Sequence, residues 1–503
     1  MDSPILDSAQ MRVAEEAAFA RGIEVETLMD EAGAGVARAV RKFFPHPGTC
    51  SVYAGKGHNG GDALVAAEHL KRAGWKIDIH LAFPENECGE LTRKKLEALG
   101  DLRRDVLPLV PGRAEARPSK IVVLDGLLGL GAKHLLREPI RSAAREINQL
   151  RLAHNAFVLA VDLPTGLDAD SGEIDPEDCV IADFTITIGF AKHGLIVDPA
   201  LDFVGRIEIV PLADLVPNVT APKELAGAAH SLKPLLPRRK FSAYKNQFGR
   251  IGIVAGSKGF VGAALMTTSG ALRAGAGLVE VFVPEEIYPI VASAAPVEAM
   301  VRPVRSYRKL FEEKIDCWAL GPGLGKSHAT EILELIKGAE QPMVVDADGL
   351  NILADRIDSL GHCRGPRLLT PHPGEMERLF EVGKMSRAGA ARNFCERFPV
   401  TLLFKGSRTI VAERDRPLSF NTTGNPGMAS GGMGDILTGV CAGLLGQGLS
   451  LYDAARLGAW VCGRAAEMSI FNGHASEQSL LATDVLDHLG DVFNELRNPN
   501  LYL

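Results

Sequence analysis

Two glycine-rich segments, each ending in an aspartate, are the parts of this chain best suited to chemistry. They are residues 55–62 (GKGHNGGD) and residues 424–435 (GNPGMASGGMGD). Each is predicted to lead into a helix that begins at the last glycine or just after it. Glycine allows close backbone approach and positive φ, and a helix N-terminus directs free N–H groups at an anion. The two segments therefore predict two phosphate-bearing ligands and two active sites.

Three further charged residues have positions that suit proton transfer. Asp162 ends a strand predicted over residues 157–163, where it could act as an acid or base or simply cap the following turn. Lys192, after a strand predicted over residues 184–190, could orient Asp162, contact phosphate or be solvated. Asp435 lies in the first turn of a helix, where it would accept a proton from a substrate hydroxyl while backbone N–H groups stabilise a phosphoryl group.

The elements that must position these residues alternate between strand and helix. This alternation predicts α/β units with parallel sheets and helices on both faces, and ligands at the carboxyl ends of the strands. The alternation of strands and helices stops over residues 217–236, which are rich in proline and alanine. We therefore predict domains at 1–218 and 233–503, joined by a linker at 219–232.

Composition narrows the function classes. A net charge of −7 over 503 residues gives no indication of a nucleic-acid partner. The eight cysteines form no CxxC pair, so free thiols in a reducing compartment are expected rather than a disulfide or zinc framework. The start of the chain lacks the basic and apolar regions of a signal peptide, and the most apolar stretch, residues 436–451, is interrupted by glycines. A cytoplasmic protein without membrane contact is predicted.

Four motifs in the first half carry a family resemblance. GKGHNGGDA (55–63), DGLLGLG (125–131), VDLPTGLDADSG (161–172) and ITIGFAKHG (186–194) occur in this order. Together they resemble the Rossmann-like epimerase domain of the NAD(P)H-hydrate repair enzymes. The resemblance implies a K⁺ site at Asn59, Asp125 and Thr165. It also implies contacts to the hydrated nucleotide from His58, Asn59, Gly60, Gly61, Asp62, Gly129, Leu130, Gly131, Ala132, Lys133, His134, Leu135 and Asp162.

This half departs from the family pattern at three positions. His58 stands where the family has asparagine, Ala63 where it has glycine, and Thr165 where it has serine. Each substitute keeps a hydrogen-bonding group or a small side chain, so activity is expected. The alternative is that this half binds a nucleotide or a protein without catalysis.

The second half resembles the ribokinase-like superfamily, and within it the ADP/ATP-dependent NAD(P)H-hydrate dehydratases. The motifs include ALGPGLG (319–325), VDADGLN (345–351), LTPHPGE (369–375), LFKGSRTIV (403–411) and NPGMASGGMGDILTG (425–439). The resemblance implies that Ala263, Gly323, His372 and Asp435 contact the hydrate. It implies adenine-nucleotide contacts from Lys405, Gly406, Ser407, Arg408, Thr409 and Gly434.

Two points within this half stay open. His372 lies between two prolines and, taken alone, indicates a rigid turn rather than a ligand contact. Asp346, Asp348 and Glu375 could each hold Mg²⁺ through water, and the sequence does not choose among them.

The resemblance predicts a bifunctional enzyme that repairs hydrated nicotinamide nucleotides. The first domain would interconvert the R and S hydrates of NADH and NADPH. The second would phosphorylate the C6 hydroxyl of the S form with ADP or ATP, which makes it a good leaving group. Homo-oligomers are implied by the same family. The main alternative is a vitamin kinase, for hydroxymethylpyrimidine or hydroxyethylthiazole, fused to a non-catalytic nucleotide-binding domain.

Overall fold

The chain forms two compact α/β units in a computed structural model that describes residues 3–100, 103–105, 121–131 and 135–498. The N-terminal unit ends at Pro222 and the C-terminal unit begins at Lys223. The predicted fold class is confirmed in both units. Among the described residues, no helix has the length and apolar character needed to cross a membrane.

The N-terminal unit contains a seven-stranded parallel sheet with the order β3-β2-β1-β4-β5-β6-β7. The strands are β1 (Thr49–Ala54), β2 (Lys76–Leu81), β3 (Arg103–Asp105), β4 (Ile121–Gly126), β5 (Phe157–Val161), β6 (Phe184–Ile188) and β7 (Arg206–Val210). The helices are α1 (Ser8–Ala20), α2 (Val25–Phe43), α3 (His58–Arg72), α4 (Glu90–Ala98), α5 (Ile140–His154) and α6 (Leu201–Val204).

The strand order places a topological switch point between β1 and β4. The chain moves outward in one direction through β2 and β3 and in the other through β5 to β7. The segments that follow β1 and β4 therefore flank a crevice at the carboxyl edge of the sheet, where ligands of such folds bind. Buried Val123, Ile147 and Val158 belong to the core that α5 covers on one face of this sheet.

The C-terminal unit contains a ten-stranded mixed sheet with the order β11-β10-β9-β12-β13-β14-β15-β16-β17-β8. The strands are β8 (Glu224–Ala226), β9 (Arg250–Val254), β10 (Leu278–Pro284), β11 (Met300–Val304), β12 (Cys317–Leu320), β13 (Met343–Val345), β14 (Arg367–Leu369), β15 (Thr401–Phe404), β16 (Ile410–Ala412) and β17 (Leu418–Phe420). The helices are α7 (Ala229–Leu232), α8 (Val261–Arg273), α9 (Tyr288–Ala294), α10 (Ala329–Gly338), α11 (Asp348–Ala354), α12 (Pro373–Leu379), α13 (Arg387–Arg397), α14 (Met433–Gly446), α15 (Leu451–Phe471) and α16 (Ala482–Arg497).

This sheet has its own switch point, between β9 and β12. The segments after these strands, which carry Ala263 and Gly323, lie side by side: the Ser257 hydroxyl donates to the Gly323 carbonyl at 2.7 Å. Helix α14, which follows the second glycine-rich segment, packs against α8. The carboxyl ends of β9 and β12 and the helices α8 and α14 thus lie close together at one edge of the sheet.

The segment that the sequence predicts as a linker contains regular structure. Strand β8 pairs in parallel with β17 at the edge of the C-terminal sheet, and Leu225 and Ala226 are fully buried there. Thr422 donates its hydroxyl to the Gly227 carbonyl, which fixes the segment further. Composition hid this strand because three residues are too few for a period-two pattern to emerge.

Candidate active sites

A cavity of about 480 Å³ opens at the carboxyl edge of the N-terminal sheet. Its walls come from α1, from the β1–α3 and β4–α5 segments, and from the ends of β5 and β6. The lining residues are Met11, Arg12, Glu15, Lys56, Gly57, His58, Asn59, Asp62, Phe83, Leu127, Leu128, Gly129, Leu130, Gly131, Asp162 and Ile188.

The first glycine-rich segment differs from its prediction. Helix α3 begins at His58, with Gly57 as its N-cap, rather than at Asp62. Gly60 and Gly61 are therefore helical residues with negative φ, and Gly60 is needed for close approach: a Cβ there would lie 2.1 Å from the Gly55 carbonyl oxygen. The earlier start places the backbone N–H groups of the first helical turn at the cavity.

Asp162 lies in a strained backbone conformation directly after β5, with φ of +68°. One carboxylate oxygen accepts hydrogen bonds from the Lys192 ammonium and, at 3.1 Å, from the Ile188 N–H. Lys192 is itself only 1% exposed and also donates to the Ile188 carbonyl at 2.9 Å and to the Thr187 hydroxyl at 3.2 Å. Since left-handed φ is costly for a residue with a side chain, the surroundings must hold Asp162 in place.

Two more carboxyl groups line the same cavity. Burial, reinforced by the negative charges of Asp162 and Glu15, raises the pKa of Asp62 well above its usual value. Burial also raises the pKa of Glu15, against the attraction of Lys192. Three carboxyl groups thus share one buried lysine, and this arrangement favours retention of a proton among them.

The three residues predicted to hold K⁺ lie close together. The Asp125 carboxylate accepts from the Thr165 hydroxyl at 2.7 Å and from the Thr165 N–H at 2.8 Å, and both residues are fully buried. Burial raises the pKa of Asp125 to about 6, opposed by these hydrogen bonds. Asn59 lies next to this pair, since a Cβ at Gly126, which follows Asp125, would lie 3.2 Å from the Asn59 carbonyl oxygen. Within the described part of the chain, the buried Asn59 side-chain nitrogen has no hydrogen-bond partner.

The other predicted contacts of this half divide into three groups. Gly129, Leu130 and Gly131 line the cavity, as do His58, Asn59, Asp62 and Asp162. Leu135 is 67% exposed and is not part of the cavity wall. The predicted contacts at Ala132, Lys133 and His134 lie outside the described residues.

Sequence reasoning missed several lining residues, Glu15 and Arg12 above all. They lie on α1, which carries none of the motifs on which the sequence analysis depends. Leu6, just before that helix, pairs with the backbone beside Lys192: its N–H donates to the Ala191 carbonyl at 2.9 Å. No local motif signals this contact, because it joins segments nearly two hundred residues apart.

In the C-terminal unit, Asp435 occupies the first turn of α14. The helix begins at Met433, and Gly432 is the N-cap with φ of +90°, a conformation that glycine adopts freely. Burial, together with the negative charge of Asp346, raises the pKa of Asp435 to about 6, opposed by Lys405. A carboxylate with such a pKa is suited to accept a proton near neutral pH.

A buried polar cluster adjoins this turn. Asp346, 1% exposed, accepts from the Lys405 ammonium at 2.7 Å through one oxygen and from the Thr438 hydroxyl at 2.8 Å through the other. Lys405 also lies 3.8 Å from the Glu375 carboxylate. A Cβ on Gly434 would lie 3.3 Å from the Lys405 nitrogen. The structure thus brings the predicted residues Lys405, Gly434 and Asp435 together with Asp346.

The three carboxylates that could hold Mg²⁺ all have protein partners. Asp346 is fully engaged as described, Asp348 accepts from the Gly325 N–H at 2.8 Å, and Glu375 accepts from the His372 N–H at 2.9 Å. These partners favour contact through water over direct coordination.

His372 occupies the turn that its flanking prolines indicate. It is the N-cap of α12, and its Nδ1 accepts from the Gly374 N–H at 3.1 Å. Its ring is about half exposed and its Nε2 lies 3.6 Å from a Glu375 oxygen. The capping role leaves the Nε2 edge of the ring accessible to a ligand.

The remaining predicted nucleotide contacts lie in two loops. Gly406, Ser407 and Thr409 belong to the turn between β15 and β16, where Ser407 is exposed and the Thr409 hydroxyl donates to the Gly406 carbonyl at 3.2 Å. Arg408 is only 3% exposed. Gly323 meets Ala263 at the switch point: a Cβ on Gly323 would lie 2.9 Å from that of Ala263.

Comparison with known proteins identifies the family. A family model described as NAD(P)H-hydrate dehydratase matches residues 251–489, and one described as YjeF-related protein N-terminus matches residues 25–194. The bifunctional NAD(P)H-hydrate repair enzyme Nnr of Moorella thermoacetica is 35% identical, covering 93% of this chain and 92% of that protein. The enzyme of the same name from Escherichia coli is 34% identical, covering 95% and 92% respectively. This chain belongs to the bifunctional NAD(P)H-hydrate repair enzymes.

The match to the repair enzymes extends over both halves of the chain. It therefore confirms the predicted bifunctional epimerase and dehydratase and does not favour a vitamin kinase with a non-catalytic partner domain. A solved ADP/ATP-dependent NAD(P)H-hydrate dehydratase from Bacillus subtilis, co-crystallised with ATP/Mg²⁺, is 28% identical, covers 53% of this chain and 97% of that one, and aligns with a TM-score of 0.46.

Proposed function

We propose that the cavity of the N-terminal unit interconverts the R and S hydrates of NADH and NADPH, with Asp162 and Lys192 at its centre. We propose further that the C-terminal unit dehydrates the S hydrate at the expense of ADP or ATP, with Asp435 as the base. One observation carries the assignment: in each unit a buried aspartate is paired with a lysine near the start of a helix that begins within a glycine-rich segment.

Epimerisation at C6 of the hydrate needs a proton source and a stabilised cation. The C6 carbon bears both the ring nitrogen and the hydroxyl, so departure of the hydroxyl as water leaves a nitrogen-stabilised cation. Water then adds to the other face. Asp162, fixed by Lys192 and by the Ile188 N–H, would move the proton, and its negative charge would stabilise the cation.

Dehydration needs a better leaving group than hydroxide. Asp435 would remove the proton of the C6 hydroxyl as that oxygen attacks the terminal phosphoryl group of ADP or ATP. The N–H groups at the start of α14 and the Lys405 ammonium would stabilise the transferred charge. Elimination of the phosphate then restores the nicotinamide ring.

The residues around Asp125 fit a K⁺ ion by the chemistry of their donors. A carboxylate and a hydroxyl lie side by side, and the unpartnered amide of Asn59 would present its oxygen to the ion after a flip of the side chain. Asn59, Asp125 and Thr165 would hold K⁺, which would supply a fixed positive charge beside the nucleotide. In the C-terminal unit, Asp346, Asp348 and Glu375 would hold Mg²⁺ through water beside the phosphates.

We also propose a compartment, an oligomeric state and a ligand class for this protein. Its eight cysteines are free thiols in the structure, as suits a reducing cytoplasm. The family resemblance supports a homo-oligomer with small-molecule nucleotides as its ligands. We assign epimerisation to residues 1–218 and dehydration to residues 233–503, with the intervening strand β8 belonging to the second fold.

Substitution of Asp162 by asparagine tests the first assignment. Because the amide cannot take up the proton, we expect epimerisation to fall by about 100-fold or more while the hydrate still binds. With ADP and an equal mixture of epimers, this variant should rapidly repair only half of the hydrate. Undiminished epimerisation in Asp162→Asn would remove Asp162 from the mechanism.

Substitution of Asp435 by alanine tests the second assignment. The variant should bind ADP with near-native affinity but lose dehydration of the S hydrate by about 100-fold or more. Epimerisation, measured by chromatography of the R and S forms, should stay at the native rate and so reports an intact N-terminal unit. Native dehydration by this variant would contradict the assignment.

A further inference from the structure

Asp62 and Glu15 are the two carboxyl groups of the N-terminal cavity that the proposed chemistry has not used. Asp62 is the fifth residue of α3 and lines the cavity together with Asp162. Among the described residues, nothing donates a hydrogen bond to its carboxyl group or forms an ion pair with it. Asp162, in contrast, accepts from the Lys192 ammonium and the Ile188 N–H. The two aspartates that line this cavity therefore differ in their partners: Asp162 is paired with a lysine, and Asp62 is not.

The titratable groups around Asp62 come from several elements. Glu15 and Arg12 on α1, Lys56 before α3, His58 at its start and Asp162 after β5 line the same cavity, and Lys192 lies behind Asp162. Burial and the two neighbouring carboxylates raise the pKa of Asp62, and Lys192 only partly opposes them. Lys192 is already engaged by Asp162, so the proton on Asp62 is retained at a pH where an exposed aspartate is ionised.

We infer, on the basis of the proposed epimerase activity, that Asp62 is the general acid that protonates the departing C6 hydroxyl, while Asp162 is the base that takes the proton of the incoming water. The neutral Asp62 carboxyl gives its proton to the hydroxyl oxygen, the C6–O bond breaks with its electron pair on oxygen, and water leaves. The lone pair of the ring nitrogen forms the C=N bond of the cation.

The second half of the reaction restores the hydroxyl on the opposite face. A water oxygen bonds to C6, the C=N electron pair returns to nitrogen, and Asp162 accepts the surplus proton. The cycle ends with the proton on Asp162 and with Asp62 ionised, which is the state required to convert the product epimer back. Atoms and charges balance without an oxidant, a reductant or a co-reactant other than water.

The geometry points to Asp62 rather than Glu15 as the acid. Asp62 belongs to α3, which begins within the glycine-rich segment and packs against β1 and β4, whereas Glu15 lies on α1. When two carboxyl groups have different surroundings, their pKa values differ. One site can then provide both an acid and a base at the same pH.

The test compares Asp62→Asn, Asp62→Glu and Asp162→Asn, with Glu68→Gln as the matched control. Glu68 lies on the same helix but pairs with Arg72 away from the cavity. Each full-length variant is given the pure R hydrate without ADP, and both the appearance of the S form and the uptake of ¹⁸O from labelled water at C6 are followed as a function of pH. Thermal unfolding verifies that each variant is folded.

We expect Glu68→Gln to match the native enzyme. In the native enzyme, kcat should decline as rising pH removes the proton of Asp62. Asp62→Asn should lose about 100-fold or more in both epimerisation and ¹⁸O uptake, and its residual rate should lack that alkaline decline. Asp62→Glu should retain part of the rate together with the decline, which a structural role for Asp62 would not produce.

Contrary outcomes separate this inference from the proposed function. If Asp62→Asn keeps the native rate and the native pH profile while Asp162→Asn is inactive, Asp62 is not the acid, but the epimerase assignment stands. If Asp62→Asn does not fold, Asp62→Glu decides: a folded Asp62→Glu without any activity overturns the inference. If the native enzyme itself leaves the R hydrate unchanged, the proposed function fails.

Discussion

At the scale of single residues, both proposed sites contain an aspartate at a strained point of the backbone. Asp162 itself has φ of +68°, and Ala347, which follows Asp346, has φ of +47°. Non-glycine residues at positive φ persist only where surrounding contacts over-determine them, and they concentrate at functional sites. Lys192 and Lys405 bind the carboxylates of Asp162 and Asp346, and a buried carboxylate without a cation would be costly.

Substitution of Lys192 should show how much this lysine contributes to the stability of the N-terminal unit. Lys192→Met leaves Asp162 buried without its cation, so we expect a loss of about 3–5 kcal/mol in the free energy of unfolding of that unit, together with loss of epimerisation. The double variant Lys192→Met, Asp162→Asn should regain part of the stability but none of the activity. Chemical denaturation of the two variants measures this, and a Lys192→Met protein of native stability would show that the pair contributes nothing.

The pH dependence of dehydration should follow Asp435. The base must be ionised, and burial raises its pKa to about 6. The value of kcat/KM should therefore be constant above that pH and fall as the pH drops through about 6. Since the negative charge of Asp346 contributes to the shift, Asp346→Asn should move the acid limb to lower pH in whatever activity remains. A native profile that stays level down to pH 4.5 would exclude Asp435 as the base.

At the scale of elements, the first glycine-rich segment works through close packing. A methyl group at position 60 would meet the Gly55 carbonyl, whereas one at position 57 would meet nothing within 4 Å. Gly60→Ala should displace the start of α3, cost about 1–3 kcal/mol of stability and abolish most epimerisation. Gly57→Ala is the matched control and should unfold like the native protein. Equal stability of the two variants in unfolding measurements would refute this role.

Some features of these elements can be predicted from the sequence, and others cannot. Strands such as β5 and β6 follow from runs of β-branched residues and their alternation with helices, whereas the three-residue strand β8 does not. The start of α3 at His58 does not, because consecutive glycines indicate a loop. The left-handed backbone of Asp162 and the approach of Glu15 from α1 depend on contacts distant in sequence, so no local pattern predicts them. The pairing of Lys192 with Asp162 is among the roles that the sequence suggests for this lysine, and the structure shows it.

At the scale of the whole molecule, the C-terminal unit begins at Lys223, so it includes β8 and α7, which the sequence-based limits place in a linker. A fragment that begins at Lys223 contains β8, whose Leu225 is fully buried, whereas one that begins at Lys233 lacks β8 and the buried Leu232. The longer fragment should dehydrate the S hydrate and unfold cooperatively. The shorter one should be less stable by several kcal/mol, since each lost leucine removes about 2–5 kcal/mol. Equal thermal stability of the two fragments would show that β8 is dispensable.

We propose that one chain both converts the R hydrate to the S hydrate and dehydrates the S hydrate to the intact coenzyme. The most direct measurement gives the full-length protein the pure R hydrate of NADH, together with ADP and Mg²⁺, and follows the absorbance of reduced nicotinamide. We expect complete recovery, because the N-terminal unit converts the R hydrate to the S hydrate and the C-terminal unit dehydrates the S hydrate. Recovery from the S hydrate at the native rate, with none from the R hydrate beyond its uncatalysed conversion, would contradict it.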